Sequence, residues 1–219
     1  MSATRQPDPG SPERRCGGVA PRDEDGGSLA TYGFVEVSAE GRSLAAVAVA
    51  NQLGVDLKVC AAALEKYEGI YRRHQVLGKK NGVWMIDDYA HNPAKCAASI
   101  EACQPIAPKV VAWFQPHGYA PTKFLRDDFV NEIAQVLRPG DEIWMSEIFY
   151  AGGTTTKDIS ANDLIMGIRA LGKNAFFVEN REFFLEEARG HLDKNCVLLL
   201  MGARDPSLEY FAQTIWDQL

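Results

Sequence analysis

The sequence predicts an α/β protein built on a doubly wound, mostly parallel sheet of the Rossmann-like type, with helices on both faces. Two observations support this fold class. Strand-like and helix-like segments alternate in five successive units from residue 83 to the end of the chain, which is typical of parallel strands joined by helical crossovers. The strand-like segments are also apolar throughout, as expected when helices cover both faces of a sheet.

A tail is predicted before these units. Residues 1–42 are expected to be disordered, because their first 28 positions are rich in Pro and Gly and contain no aromatic residue that could pack. Arg14 and Arg15 give this tail an alternative role as an arm that binds a partner, although such charges are usually solvated.

Two helices are predicted between the tail and the alternating units. Ser43 is expected to cap a helix that runs to Leu53, and Asp56 to cap another that runs to Tyr67. Gly54 and Gly69 end them. The apolar face of the second helix is formed by Val59, Ala63, Leu64 and Tyr67.

The remaining elements follow from apolar runs and turn residues. A short strand, Arg73–Leu77, is predicted to pair with the next strand through a turn at residues 79–82. The five units, each a strand and then a helix, are Val83–Asp87 with Pro93–Cys103, Lys109–Phe114 with Pro121–Leu137, Glu142–Ser146 with Ser160–Leu171, Ala175–Val178 with Arg181–Leu192, and Val197–Met201 with Pro206–Leu219.

Composition and charge exclude several classes of protein. The chain of 219 residues has 23 Lys and Arg against 29 Asp and Glu, a formal net charge of −6, which argues against nonspecific binding of nucleic acid. Its apolar runs are far shorter than the roughly 20 residues of a membrane-spanning helix, and its N-terminus has no apolar signal core. The five cysteines are scattered without a CxxC pair. We therefore expect a cytoplasmic protein with free thiols and with no membrane or nucleic-acid partner.

Chemistry is expected at the carboxyl ends of the strands, where this fold class binds ligands. The first such segment is Asp87-Asp88-Tyr89-Ala90-His91-Asn92-Pro93. A carboxylate such as that of Asp88 can accept hydrogen bonds from ribose hydroxyls, and the start of the following helix favours phosphate. The alternative is structural: Asn92 caps the helix and Asp88 closes a turn.

The second segment, Phe114-Gln115-Pro116-His117-Gly118-Tyr119, places a histidine where a substrate would lie. The ordinary pKa of His117 suits proton transfer or anion binding, and a solvated loop histidine is the alternative. A metal site formed by Asp88, His91 and His117 is conceivable, but these residues lack tight ligand spacing, so no metal is predicted.

Two further strand ends are rich in glycine. Residues 147–154 form a polar loop that either passes close to a ligand or is a mobile connection. Gly202 allows close backbone approach in the run Gly202-Ala203-Arg204-Asp205. Neither GxGxxG nor GxxxxGK[ST] occurs, so the chain lacks a phosphate-binding loop of its own.

Taken in order, these segments resemble the Mur ligase family, and most closely its branch of UDP-N-acetylmuramate–L-alanine ligases. The resemblance covers residues 43–219. The motifs that carry it are the helical stretch Gly54–Glu68, then Gly69-Ile70-Tyr71-Arg72-Arg73, Asp87-Asp88-Tyr89-Ala90-His91-Asn92-Pro93, Phe114-Gln115-Pro116-His117, Glu147–Gly152 and Met201-Gly202-Ala203.

The resemblance implies one part of a three-domain enzyme. Mur ligases have an N-terminal domain for the UDP-sugar, a central domain with the ATP-binding P-loop, and a C-terminal domain that closes over the site. Residues 43–68 would be the last helices of the central domain and residues 69–219 the C-terminal domain. We therefore expect the chain to cap ATP and the incoming amino acid in a ligase of peptidoglycan precursor synthesis, and to be inactive without the P-loop and UDP-binding domains.

The same resemblance implies roles for single residues. The family uses ATP, with Mg²⁺ held by the central domain, to activate a substrate carboxylate that an amino-acid amine then attacks. His91 and His117 are the expected catalytic residues. Nucleotide binding is expected from Arg73, Asp88, His91 and Asn92, and amino-acid binding from His117, Tyr119 and Lys123.

One departure concerns the acceptor amino acid. The alanine-adding branch continues Pro-His-Arg-Tyr-Thr-Arg, whereas this chain has Gly118 and Pro121 at the two arginine positions. Neither donates a side-chain hydrogen bond, and Lys123 supplies charge without the planar fork of arginine. The sequence leaves two hypotheses. The chain is either a ligase domain that is active only with a P-loop domain, which is another chain or the missing part of a truncated gene product, or a non-catalytic nucleotide-binding or regulatory module.

Overall fold

A six-stranded sheet organises the chain in the computed structural model, which describes residues 36–67 and 69–219, with side chains from residue 43 onward. The strands are β1 (Gln75–Lys80), β2 (Val83–Asp88), β3 (Lys109–Gln115), β4 (Glu142–Met145), β5 (Asn174–Phe177) and β6 (Cys196–Gly202), and they lie in the order β1-β2-β6-β3-β4-β5. Only β1, at one edge, runs antiparallel to its neighbour in this sheet. The predicted doubly wound fold class is confirmed.

The helices precede the sheet or connect its strands. They are α1 (Glu36–Gln52), α2 (Leu57–Glu65), α3 (Pro93–Cys103), α4 (Tyr119–Phe124), α5 (Arg126–Val136), α6 (Ala161–Ala170), α7 (Phe184–Ala188) and α8 (Leu208–Gln218). Short 3-10 turns, Arg181–Phe183 and Arg189–His191, flank α7. None of the helices in the described part of the chain is long and apolar enough to cross a membrane.

Both faces of the sheet are buried, because successive side chains of a strand point to opposite faces. In β3, Val110, Ala112 and Phe114 pack with α3, α5 and α6, and Val111 and Trp113 pack on the other side. That second side is covered by α7 and α8. The runs of apolar residues in β2, β3 and β6 therefore occur because helices cover both faces of the sheet, as the sequence predicts.

Free buried thiols are confirmed for the four described cysteines, Cys60, Cys96, Cys103 and Cys196. Burial raises the pKa of Cys196 to about 11, so this thiol is inert at neutral pH. Cys16 lies outside the described residues, as do Arg14 and Arg15.

The edge strand and its turn differ from the prediction. Instead of Arg73–Leu77 the strand is Gln75–Lys80, because Arg72 and His74 have positive φ angles of 50° and 49° and turn the chain before it extends. Lys79 and Lys80 pair with β2, so the predicted four-residue turn reduces to Asn81 and Gly82, a favourable pair for a two-residue hairpin.

Two predicted helices are interrupted. The helix predicted at 121–137 begins earlier, at Tyr119, and is broken at Leu125, where ψ is 12°. The helix predicted at 181–192 is regular only over α7. The residues before and after α7 form 3-10 turns, and the second of these turns contains Gly190, a poor helix former.

The N-terminal helices also differ in their limits. Asp56 caps α2 by accepting a hydrogen bond from the N–H of Lys58, as expected, but α1 begins at Glu36 rather than at Ser43. Predicted tail positions up to residue 35 lie outside the described residues. The predicted apolar face of α2 is exposed, with Val59 at 59 %, because no described element covers it; the buried side chain of this helix is Cys60.

Candidate functional site

The order of the strands brings three of the predicted segments together. Strand β6 lies between β2 and β3, with Asp88 opposite Met201 and Gln115 opposite Gly202. The loops at residues 89–92, 116–118 and 203–207 therefore leave the same edge of the sheet side by side. This is the edge at which doubly wound folds bind ligands.

His91 and His117 meet at this edge, with ring centroids 5.7 Å apart. The Nδ1 atom of His91 lies 2.8 Å from the carbonyl oxygen of Tyr89. Because a carbonyl only accepts, Nδ1 of His91 is the donor in this contact, which leaves Nε2 for another partner.

His117 is held by backbone pairing and is electrostatically unusual. Its segment pairs with the loop after β4: the N–H of Phe149 donates to Pro116 and the N–H of Gly118 donates to Phe149, both at 2.8 Å. The Nδ1 atom is buried and has no hydrogen-bond partner within the described residues. Burial lowers the pKa of His117, and the charges of His91 and Arg204 lower it further, so the ring is neutral at pH 7.

An ion pair that the sequence did not reveal supports the end of β2. The guanidinium of Arg72 donates to Asp87 through Nε at 2.8 Å and through Nη2 at 3.3 Å, and both side chains are under 10 % exposed. Nη2 also donates to the carbonyl of Gly202 at 3.1 Å, and the N–H of Tyr89 donates to the carbonyl of Arg72. Arg72 therefore joins the ends of β2 and β6.

A hollow of about 390 Å³ opens beside this ion pair. The guanidinium of Arg73 lies over the ring of Tyr89, 5.2 Å from its centroid, and the N–H of Arg204 donates to the Tyr89 hydroxyl at 3.4 Å. The side chains that the hollow brings together are those of Tyr71, Arg73, Tyr89, Arg204, Asp205 and Glu209. Of the site residues predicted from sequence, Arg73 lines it.

Asn92 makes the structural contact that was the alternative to ligand binding, whereas Asp88 bonds to the segment before β1 instead of closing a turn. Asp88 Oδ1 accepts from the N–H of His74 at 3.1 Å, and Asn92 Oδ1 accepts from the N–H of Lys95 at 2.9 Å and so caps α3. The second carboxylate oxygen of Asp88 and the amide NH₂ of Asn92 make no protein hydrogen bond within the described residues. These atoms fit a ribose or a phosphate as ligand.

Tyr119 and Lys123, both on α4, face the loop after β4. The ring of Tyr119 lies edge-on to that of Tyr150, with centroids 5.3 Å apart, and the ammonium of Lys157 is 5.7 Å and 5.2 Å from the two rings. Lys123 forms an ion pair with Asp158, and this cation lowers the pKa of that carboxyl. The positive charge of Lys123 is therefore already balanced.

Glu147 fixes the base of the same loop. Its carboxylate accepts from the hydroxyl of Ser160 at 2.6 Å and from the N–H of Ala161 at 3.1 Å, at the start of α6. A third bond comes from the N–H of Ile148 at 2.7 Å. The loop is thus tied at residues 147–149 and at 160.

The comparisons with known proteins agree with this architecture. Residues 72–204 match the protein family described as "Mur ligase, glutamate ligase domain". The chain belongs to the Mur ligase family. The matched region includes both histidines and both strand ends described above.

Curated relatives narrow the similarity within the Mur ligases. UDP-N-acetylmuramate–L-alanine ligase of Lachnospira eligens is 37 % identical over 169 residues, which are 74 % of this chain and 35 % of that protein. The enzyme of the same name from Agathobacter rectalis is 37 % identical over 166 residues, 74 % of this chain and 34 % of the relative. The chain thus spans about a third of the length of the curated relatives it matches.

Solved structures of other Mur ligases share the fold. The UDP-N-acetylmuramate-alanine ligase of Thermotoga maritima has a TM-score of 0.62 at 24 % identity, covering 80 % of this chain and 36 % of that one. MurF of Acinetobacter baumannii has a TM-score of 0.58 at 19 % identity, covering 80 % and 37 %. This Mur ligase domain therefore has the fold of the same region in full-length ligases.

Within the described residues of this Mur ligase domain, no group of three or more His, Cys, Asp or Glu side chains is arranged to hold a metal ion. Asp88, His91 and His117 leave the same sheet edge without forming such a group. Two side chains of this edge were missed from sequence. Arg72 was quoted in the motif without a partner, and Arg204 stood beside Gly202 in a run where only the glycine was interpreted.

Proposed function

We propose that this domain caps ATP and an acceptor amino acid in an ATP-dependent amide ligase of the UDP-N-acetylmuramate–amino acid type. The observation that carries the proposal is the contact of His91 with His117 at the carboxyl edge of the sheet, with the buried Nδ1 of His117 unpartnered among the described residues. A P-loop and a UDP-sugar site, which residues 1–219 do not contain, would complete the enzyme.

The nucleotide side of the site uses atoms that the fold leaves open. Asp88 Oδ2 is placed to accept from a ribose hydroxyl, while the free Asn92 amide and the N–H groups at the start of α3 favour an anionic group. Arg73, stacked over Tyr89, would bind a phosphate or the face of a base. ATP would supply the phosphoryl group that activates the carboxylate substrate, with Mg²⁺ held by the central domain.

The acceptor side lies at His117. Because burial keeps the imidazole of His117 neutral at pH 7, it is free to take the proton that the amine nitrogen loses as that nitrogen bonds to the activated carboxyl carbon. The pairing of residues 116–118 with Phe149 fixes the ring, and Tyr119 with Tyr150 forms an aromatic wall next to it. Lys123 would contribute to amino-acid binding by exchanging its Asp158 partner.

The domain limits form part of the proposal. Residues 43–68 would be the last helices of the central domain and residues 69–219 the C-terminal domain. In support, α1 and α2 expose large apolar side chains, with Leu44 at 69 % and Val59 at 59 %. An apolar surface of this kind is expected where another domain packs.

The proposal is tested by reconstitution. The full chain is mixed with the separately expressed part of the Lachnospira eligens relative that this chain does not cover, and ADP release is measured with UDP-N-acetylmuramate, ATP and each proteinogenic amino acid. We expect release that depends on both components and on an acceptor. His117→Gln should lower the rate by about 10²-fold or more, whereas Lys194→Ala, an exposed cation at the opposite edge of the sheet, should not. Silence with every amino acid would contradict the proposal.

A non-catalytic nucleotide-binding or regulatory module is the second candidate. The charge balance of Lys123 by Asp158 favours it, because it leaves α4 without an open cation. Calorimetric titration with ATP and with ADP distinguishes the two. Binding that Asp88→Ala abolishes, together with no turnover in the reconstituted mixture, would support the module.

A further inference from the structure

Two arginines at the sheet edge lack an ionic partner. Arg73 and Arg204 both line the 390 Å³ hollow, and neither has an ion pair or a side-chain hydrogen bond among the described residues. Other charged groups of the hollow are engaged. Arg72 is paired with Asp87 and Asp205 with Arg181. Burial, together with the hydrogen bond that Tyr71 donates to the Glu209 carboxylate, raises the pKa of Tyr71.

Arg204 lies between the hollow and the histidine pair. Its N–H reaches the hydroxyl of Tyr89, the ring of Tyr89 packs edge-on against His91 at 5.7 Å, and the charge of Arg204 lowers the pKa of His117. Gln115 and Gly202 are paired neighbours at the ends of β3 and β6, so His117 and Arg204, each two residues further on, leave adjacent strand ends.

The segment that follows His117 offers no equivalent cation. Gly118 has a positive φ of 75° and a Cβ there would lie 3.0 Å from Pro121, so neither position presents a donor side chain. Lys123 is paired with Asp158. The other lysine on this side, Lys157, lies over the rings of Tyr119 and Tyr150. The unpaired guanidinium available to an anionic group next to His117 is therefore on the other side, at the end of β6.

The backbone of Arg204 is in an unfavourable conformation for a side chain. Its φ angle is 64°, in the left-handed region that glycine adopts more readily than a residue with a Cβ. Strain of this kind is concentrated at functional sites, where the surrounding structure holds the residue in place. Arg204 is exposed between the buried residues Ala203 and Asp205, and its guanidinium has no ion pair or side-chain hydrogen bond among the described residues.

We propose that Arg204 binds the carboxylate of the acceptor amino acid and so helps to determine which acceptor this ligase domain takes. The inference rests on the proposed function, because it assigns the amine of the same molecule to His117. In an α-amino acid a single carbon separates amine from carboxylate, so the cation for the carboxylate has to lie beside the group that faces the amine. Arg204 meets that requirement, and its planar fork matches a carboxylate with two parallel hydrogen bonds.

The test compares variants of Arg204 in the full chain. Arg204→Gly removes the guanidinium and suits the positive φ, so it should fold at least as well as the parent, and Arg204→Lys keeps the charge without the fork. Lys194→Ala removes one positive charge at the other end of β6, about 20 Å away at the usual rise per residue. The probes are glycine, L-alanine, L-serine, L-alaninamide and inorganic phosphate, followed by NMR of the histidine side chains and by calorimetry.

We expect an amino acid to shift the His117 signals, with a Kd at least tenfold higher in Arg204→Gly, intermediate in Arg204→Lys and unchanged in Lys194→Ala. L-Alaninamide, which has no carboxylate, should bind equally to parent and Arg204→Gly. If Arg204 had only a structural role, Arg204→Gly would weaken the binding of amino acids and of L-alaninamide alike.

Several outcomes would overturn the inference. These are an amino-acid affinity that Arg204→Gly leaves unchanged, no saturable binding of any of the three amino acids, or dependence on Arg204 for phosphate but not for amino acids. Failure here is distinguishable from failure of the proposed function, which depends on binding of ATP through Asp88 and on ADP release in the reconstituted mixture. Either set of results can be negative while the other is positive.

Discussion

Asp87 and Asp88 are adjacent carboxylates with different expected roles: Asp87 stabilises the fold, and Asp88 binds a ligand under the proposed function. Replacing each of them by asparagine distinguishes the two roles. Asp87→Asn should destabilise the fold because it leaves the buried guanidinium of Arg72 without its counter-charge. Removing one partner of a buried pair costs about 3–5 kcal/mol. The asparagine oxygen can still accept from Nε, so we expect the lower end, about 3 kcal/mol, which corresponds to a fall in Tm of about 6–12 °C.

Asp88→Asn is the matched control. Asp88 is partly exposed, and the bond from the N–H of His74 can be kept by an amide oxygen, so we expect a loss below about 1 kcal/mol. Urea unfolding followed by the fluorescence of buried Trp113 and Trp144 measures both, as a change in midpoint at constant slope. Equal midpoints for the two variants would refute the claim that Asp87, and not Asp88, stabilises the fold. Under the proposed function, ATP affinity should be lost in Asp88→Asn.

Two further predictions concern stability away from the site. The buried carboxylate of Asp141 accepts from the N–H of Val110, from Gln104 and from the guanidinium and N–H of Arg138. Burial by itself would raise the pKa of Asp141, but the bonds from Arg138 and Val110 outweigh it and lower the pKa below 3.8. A lowered pKa means that this stability is present above about pH 4 and is lost as the pH falls through the folded-state pKa. Asp141→Asn should therefore cost about 3 kcal/mol at neutral pH and flatten the acid limb of Tm against pH; an unchanged acid limb would contradict this. In α6, a Cβ on Gly167 would lie 2.7 Å from Val130, so Gly167→Ala should destabilise by about 1–3 kcal/mol although alanine is the better helix former. Gly140→Ala, where the added Cβ meets nothing within 4 Å, is the control. An equal urea midpoint for the two alanine variants would contradict the prediction, because it would mean that Val130 and α5 move aside without loss of stability.

Local patterns were sufficient for most of the fold. The buried strands β2, β3 and β6 have limits within one residue of those predicted, because an apolar run between polar or turn residues marks such a strand directly. The caps by Asp56 and Asn92 were also predictable, since the residue type and the helix that follows are neighbours in sequence. The convergence of His91 and His117 follows from the fold class together with their positions at strand ends.

Contacts between distant positions could not be read in the same way. Arg72 and Asp87 are 15 residues apart and Arg72 reaches Gly202 across 130 residues, so nothing local distinguishes Arg72 from the unpaired Arg73. The break at Leu125 carries no Pro or Gly at the position itself. In the run at residues 202–205, the sequence pointed only to Gly202. The positive φ angle of Arg204 is visible only in three dimensions.

The loop after β4 is attached to the rest of the fold at two points, so its exposed part can change in length while its attached residues keep their position. Residues 116–118 are paired with Phe149, and Glu147 is fastened to the start of α6, while residues 151–158 are exposed. Under the proposed function, extra residues inserted into that exposed stretch would change the surface next to His117 and leave the imidazole where it is. Lengthening this one segment would then change which acceptor is taken, while residues 116–118 keep their position.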